Sequence, residues 1–358
     1  LQWSEPKVAI KVSQEAHWNP VLFPCEDGMA MFFKVGRFPD SWDTYKCWFN
    51  GDSWSEAVKL KSKVFPCGKM TPGPVRGKVV RLSNGTLIAP SSIEKIICHF
   101  PMIPIWESVM HRSTDDGKTW ETSFVPFIRR EKEFGGIIQP SVWEISPGHI
   151  AALMRSSNGF LYRTESSDDG KTWSPAEMTD LPNPNSAVDI SPYKNVIAMV
   201  HNPVSGNWVR RSPLSISFAN KDGKIFSEPI NIESGEGSFS YPAVIDTEDG
   251  FAITYTWNRT HICFVKVNIK SLVAGEVCPI VEVEMEMAKP FEFKKEGNMI
   301  VRFCKSCGKE FGKDCIQSKT SLEFCNKCIP KVKTIEVQEE IVVKKGFFDK
   351  LIPKFIKE

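Results

Sequence analysis

The first 285 residues are written in short apolar runs broken by turn signals. Val79-Val80-Arg81-Leu82, Ile150-Ala151-Ala152-Leu153-Met154, Val196-Ile197-Ala198-Met199-Val200 and Ala252-Ile253-Thr254-Tyr255-Thr256-Trp257 all have strand length. Asn84-Gly85, Asn158-Gly159 and Asp249-Gly250 are dipeptides that supply the positive φ of tight turns. No apolar face with a helical period extends far here, so the pattern predicts an all-β body. The pattern changes near the end. Phe347, Phe348, Leu351, Ile352, Phe355 and Ile356 form one apolar helical face, with Lys350, Lys354 and Lys357 beside it. Pro353 keeps that helix short or kinked.

A repeat underlies the strands. Ser113-Thr114-Asp115-Asp116-Gly117-Lys118-Thr119-Trp120 returns as Ser166-Ser167-Asp168-Asp169-Gly170-Lys171-Thr172-Trp173. Lys221-Asp222-Gly223-Lys224-Ile225-Phe226 is a degenerate third copy, and Gly117, Gly170 and Gly223 are spaced 53 residues apart. Asn50-Gly51-Asp52-Ser53-Trp54 keeps the Gly and Trp spacing upstream, and Trp3-Ser4-Glu5-Pro6 looks like the end of another copy. In such a box Asp and Gly shape the turn, Ser and Thr bond local backbone, and Trp packs the turn onto its sheet. Units of about 50 residues, each with about four strands, predict propeller blades.

The S-x-D-x-G-x-T-W box resembles the Asp box of the sialidase (neuraminidase) superfamily. The segments between boxes resemble its bacterial-type BNR-repeat members: His17-Trp18-Asn19-Pro20, Gly73-Pro74-Val75-Arg76-Gly77-Lys78, Ser91-Ser92-Ile93-Glu94, Ile138-Gln139-Pro140-Ser141, Leu181-Pro182-Asn183-Pro184-Asn185-Ser186, Ser240-Tyr241-Pro242-Ala243 and Trp257-Asn258-Arg259. The resemblance covers about residues 1–270 and implies an all-β, six-bladed β-propeller. If Trp3 ends a box, most of one blade is missing before it. The expectation is then a chain truncated at its start, or a propeller left incomplete or closed by another segment. The resemblance also puts the Asp boxes on the outer rim, as structural turns, and the site at the mouth of the axial channel.

Sialidases cleave a sugar that carries a carboxylate, and planar guanidinium groups bind two carboxylate oxygens at once. Arg155, Arg211 and Arg259 are the expected carboxylate binders, with Arg163, Arg210 and Arg76 as alternatives. The resemblance implies a Tyr nucleophile helped by a Glu, outside the usual two-carboxylate scheme. Tyr241 is the candidate, with Glu94 or Glu236 as the assisting carboxylate and Asp189 as acid/base. Similar proteins carry an acid just before the Ser-Tyr-Pro, where this chain has Ser238-Phe239. Lys78, Gln139, Asn185 and His111 complete the expected binding set. A second chemistry fits the same fold: a polysaccharide lyase on uronate glycans, with His111 or His17 moving protons beside Tyr241, Arg155 and Gln139. A third reading is a non-catalytic glycan-binding propeller.

Cys304-Lys305-Ser306-Cys307 and Cys325-Asn326-Lys327-Cys328 lie 17 residues apart. This C-x₂-C pairing predicts a small zinc ribbon in which four thiolates hold a structural zinc ion, with Cys315 to spare. The expected organisation is a propeller over 1–285, a linker over 286–300, the ribbon over 301–330 and a basic tail over 331–358. No cofactor is expected for the propeller chemistry itself.

Composition adds three points. Net charge is +2, yet residues 298–358 hold 13 Lys and Arg against 8 Asp and Glu. A near-neutral body with a basic tail excludes a wholly nucleic-acid-coating protein and lets the tail touch a protein or an anionic surface. No aromatic and Arg interleaving marks a nucleic-acid site. No apolar run reaches the roughly 20 residues of a spanning helix, and no N-terminal segment reads as a signal peptide. Eleven cysteines, an odd number with a metal-like cluster, favour a reducing compartment, the cytoplasm; a truncated start would allow an extracellular protein. The sequence thus predicts exo-sialidase-like glycoside hydrolysis of an acidic sugar.

Overall fold

The computed structural model describes residues 7–25, 28–65, 68–99, 102–128, 135–275 and 277–288. The chain divides into two units, Leu1–Glu292 and Phe293–Glu358. The four expected zinc ligands and the apolar-faced tail fall in the second unit, outside the described residues.

The first unit is all-β. Five antiparallel meanders follow one another along the chain. The first runs through His17–Cys25, Gly28–Val35, Asp43–Phe49 and Val58–Lys59, and the second through Val80–Arg81, Leu87–His99, Met102–Ser113 and Glu121–Phe124. The third uses Gly135–Ser146, His149–Ser156, Phe160–Ser166 and Glu177–Pro182. The fourth uses Asp189–Tyr193, Val196–His201, Leu214–Asn220 and Ile230–Glu233, and the fifth Phe239–Thr247, Gly250–Trp257, His261–Val273 and Ile280–Ala288. A small hairpin, Lys63–Phe65 with Gly68–Met70, joins the first two meanders. Six blades were expected; five such meanders lie among the described residues. No helix of these residues is long and apolar enough to cross a membrane.

The packing explains the runs in the sequence. Second strands are covered on both faces, so His149–Ser156 and Val196–His201 are buried almost throughout and read as unbroken apolar stretches. The outermost strand Ile280–Ala288 instead alternates half-buried and exposed positions along most of its length. Neighbouring meanders share cores. Leu82, Met110, Ile137 and Met154 join the second to the third, and Phe218, Ile232, Phe251 and Val265 join the fourth to the fifth. Trp143 is fully buried between the third and fourth; truncating it to Ala would cost about 3–5 kcal/mol.

The Asp boxes are turn locks. Asp168 accepts from Ser166 Oγ (2.8 Å), Thr172 N (2.9 Å) and Thr172 Oγ1 (2.6 Å), and Asp115 repeats the pattern with Ser113 and Thr119. Gly117 and Gly170 both have φ +78°, which side chains resist. Each turn docks on the preceding meander. Trp120 meets Phe32 edge-on, and a Cβ at Gly170 would strike Ile88 at 2.5 Å. Ser166 pairs with Ile150, five residues from Arg155 on the same strand, about 16 Å away at the usual rise. The boxes and Arg155 therefore sit at opposite ends of the sheet.

Candidate active site

At that other end the five meanders repeat one backbone device. Asn19, Arg76, Gln139, Asn185 and Tyr241 have φ of +48°, +66°, +56°, +56° and +56°. Each lies at the start of its meander's first strand or just before it. Asn19, Gln139 and Tyr241 precede proline, which favours extended backbone at the residue before it, and the ladder register slips at all three. A left-handed non-glycine residue on a bulge is strained, and such strain collects at functional sites.

Tyr241 is the centre of the charged cluster. The Arg211 guanidinium lies over its ring at 5.0 Å and that of Arg76 at 5.7 Å. Arg155 acts on it by charge and hydrogen bonding. Burial pushes the phenol up, but the charges of Arg211 and Arg155, a hydrogen bond from Arg211 and the charge of Arg259 outweigh it. The net effect lowers Tyr241 to about 8. Glu94 goes the other way: burial raises its carboxyl, against a smaller pull from Arg155.

Two tryptophans flank the arginines. Trp106 and Trp208 approach at 6.3 Å between ring centroids, with Arg155 over Trp106 at 5.8 Å and Arg211 over Trp208 at 6.0 Å. Glu94 and Trp106 face each other on the long hairpin of the second meander. Trp208 is 53% exposed at φ +60°. Neither tryptophan was expected as a site residue; a lone Trp in the Gly-Asn-Trp loop carries no periodic signal.

The guanidinium groups are not saturated. Arg155 and Arg211 are 5% and 4% exposed, yet Arg155 Nε and Nη1, Arg211 Nη1 and Arg76 Nε are buried without a hydrogen-bond partner. Beside them, Gln139 Oε1 and Asn185 Oδ1 are buried acceptors in the same condition. Gln139 follows Ile138, the ladder partner of Arg155, and Arg211 Nη2 donates to the Asn185 carbonyl at 3.1 Å. Buried donors left bare cost about 1–3 kcal/mol each. They are concentrated around one phenol, an arrangement that can accept an anionic, hydrogen-bonding group.

The remaining expected residues are distributed as follows. Asp189 is 2% exposed. Its Oδ2 accepts from Lys78 Nζ (2.6 Å) and Val244 N (2.8 Å), and its Oδ1 from Ser141 Oγ (3.1 Å). It ties the second, third, fourth and fifth meanders together. Lys78 is spent on Asp189 and the Ile190 carbonyl. Arg259 is exposed in the turn after Gly250–Trp257 and reaches Tyr241 by charge. Glu236 is exposed. His111 is buried at the box end of its strand, with Nδ1 3.0 Å from Thr122 Oγ1; burial, with the nearby charges of Lys34 and Lys63, lowers it to about 3. His17 is exposed and stacks on Phe33 at 5.7 Å. Arg163 holds the degenerate box through the Gly223 and Asp222 carbonyls, and Arg210 holds those of Gly235 and Gly237. A polar depression lined by Arg81, Asn84, Thr114 and Lys118 belongs to the box turn of the second meander and contains none of the Tyr241 cluster.

No curated protein matches this chain. Among solved structures, a Dyadobacter fermentans protein of unknown function aligns at TM-score 0.53 and 16% identity, over 78% of this chain and 79% of its own. Trypanosoma rangeli sialidase in complex with the inhibitor DANA aligns at TM-score 0.50 and 19% identity, over 77% of this chain and 46% of its own. The same sialidase with 2,3-difluorosialic acid, described as a covalent intermediate, aligns at 0.51 and 18%, over 70% and 45%. The chain spans just under half of the trypanosomal enzyme's length, and at these identities the likeness is one of fold. The BNR repeat-like domain matches residues 1–253, so the chain belongs to the BNR repeat-like family and has a sialidase-like fold.

Proposed function

We propose that the five meanders are blades of a propeller and that the Tyr241 cluster hydrolyses a glycoside of an acidic, carboxylate-bearing sugar. The observation that carries this reading is the set of bare guanidinium N–H groups of Arg155, Arg211 and Arg76 around one phenol. They suit a planar carboxylate: Arg155, with Nε and Nη1 both bare, can bind it through two oxygens, and Arg211 Nη1 and Arg76 Nε each offer one further donor. Trp106 and Trp208 offer apolar faces for a sugar ring.

The two groups whose environments push them apart take the acid and nucleophile roles. Glu94, held up by burial, gives its proton to the glycosidic oxygen as the bond to the anomeric carbon breaks. Tyr241, brought down to about 8, attacks that carbon as the phenolate and forms a glycosyl–tyrosine bond. Water then attacks the same carbon, Glu94 takes back a proton, and the phenolate leaves. Asp189, expected as acid/base, has no part: hydrogen bonds occupy both of its oxygens. His111, His17 and Glu236 have none either.

A second reading, β-elimination on a uronate, is favoured by one observation: a phenol near pKa 8 beside arginines also suits removal of a proton next to a neutralised carboxylate. Incubation with sialosides and with uronate polysaccharides separates the two. Free sialic acid, lost in Tyr241→Phe, supports hydrolysis. Ultraviolet absorbance from unsaturated ends assigns the lyase. Saturable binding without turnover of either assigns a binding module.

Cys304, Cys307, Cys325 and Cys328 we propose as ligands of a structural zinc ion. Metal analysis of the purified chain should give one zinc per chain, lost on replacing either cysteine pair with serine.

A further inference from the structure

We propose that Arg76 is a positioning residue whose guanidinium braces the turn at Tyr241 against the fourth meander. The proposal rests on the reading of Tyr241 as the reactive group. Arg76 comes from the second meander, but its Nη1 donates to the Val188 carbonyl of the segment entering the fourth (3.1 Å), and its Nη2 donates to the Pro242 carbonyl of the fifth. Pro242 follows Tyr241 directly, so this bond holds the chain at the residue just after the left-handed tyrosine. The same guanidinium lies over the Tyr241 ring. One planar group therefore holds the backbone next to the phenol and lies over its ring.

The segment carrying Arg76 is itself fixed. Arg76 has φ +66°. A Cβ at the following Gly77 would run into the Pro140 carbonyl of the third meander and the Pro90 ring of its own meander, so the segment is packed here without room for a side chain. Two residues on, Lys78 is anchored on Asp189 and the Ile190 carbonyl. Arg76 thus reaches the Pro242 carbonyl from a fixed base. A lysine would keep the charge but has no rigid fork to span two carbonyls.

The test is ultraviolet titration of the tyrosines in the folded chain, which needs no substrate. Wild type should show one tyrosine ionising near pH 8, absent in Tyr241→Phe. In Arg76→Lys that ionisation should rise by about one pH unit or more, because a phenol released from its turn moves away from Arg155 and Arg211; Arg76→Gln should rise at least as far. An unchanged titration in folded Arg76→Lys overturns the brace, since charge alone would then suffice. If Arg76→Gln does not fold, Arg76→Lys alone decides. If wild type has no tyrosine ionising near pH 8, the reading of Tyr241 fails first, a separate outcome from failure of the brace.

Discussion

The ammonium of Lys78 lies 2.6 Å from Asp189 Oδ2, and that carboxylate is only 3% exposed. The pair links the second meander to the fourth, while Ser141 and the Val244 amide bring in the third and fifth. Asp189→Asn should therefore destabilise the whole body, by about 3 kcal/mol, because it leaves Lys78 without its counter-charge. The check is the urea midpoint at neutral pH. The loss should show as a lower midpoint than that of the unsubstituted chain.

Affinity for an acidic ligand should depend on the state of Tyr241. Its phenolate competes with a bound carboxylate for Arg155 and Arg211. Affinity should therefore be full below pH 8 and fall as pH rises through Tyr241's value of about 8, by up to about tenfold per pH unit. By reciprocity, ligand binding should raise the tyrosine's ionisation. Calorimetric titration with a sialic acid at several pH values measures both, and Tyr241→Phe should remove the pH dependence.

His111 sets an acid limit on stability. Its folded value is about 3 against 6.5 for the free side chain. The unfolded chain takes up this proton first, so the stability His111 contributes is present above pH 6.5 and is lost as pH falls toward 3. Urea midpoints across that range should slope downward, and His111→Gln should flatten the slope.

Asp168→Ala should behave differently from any change near Tyr241. It removes the acceptor of three hydrogen bonds in a turn and should cost about 1–2 kcal/mol. Ligand affinity should be unchanged, because the box and Arg155 lie at opposite ends of their sheet. Urea unfolding with a parallel binding titration checks both parts.

Much of this was legible in the sequence, for definite reasons. The boxes are local devices: Ser, Asp, Gly and Thr within seven positions close their own turn, so the repeat exposes them. Tyr241, Arg155 and Arg211 follow from the sialidase resemblance of the segments between boxes, and the structure brings them together. What the sequence hid is long-range pairing. Asp189 looked like a free proton carrier because Lys78 is 111 positions away. Arg76 ranked low because its partners, Val188 and Pro242, are backbone carbonyls with no side-chain signature. The left-handed φ shared by Asn19, Arg76, Gln139, Asn185 and Tyr241 was also out of view, since four different residue types carry it and none is glycine.

Covalent capture addresses the role of Tyr241 itself. The chain would be incubated with an acidic sugar carrying fluoride at its anomeric carbon and a second fluorine on the neighbouring carbon, then digested and its peptides weighed. A glycosyl adduct on the Tyr241 peptide, absent in Tyr241→Phe, is the expected result. Turnover of a natural glycoside with Tyr241 unmodified by the trap, or with full activity in Tyr241→Phe, would contradict it.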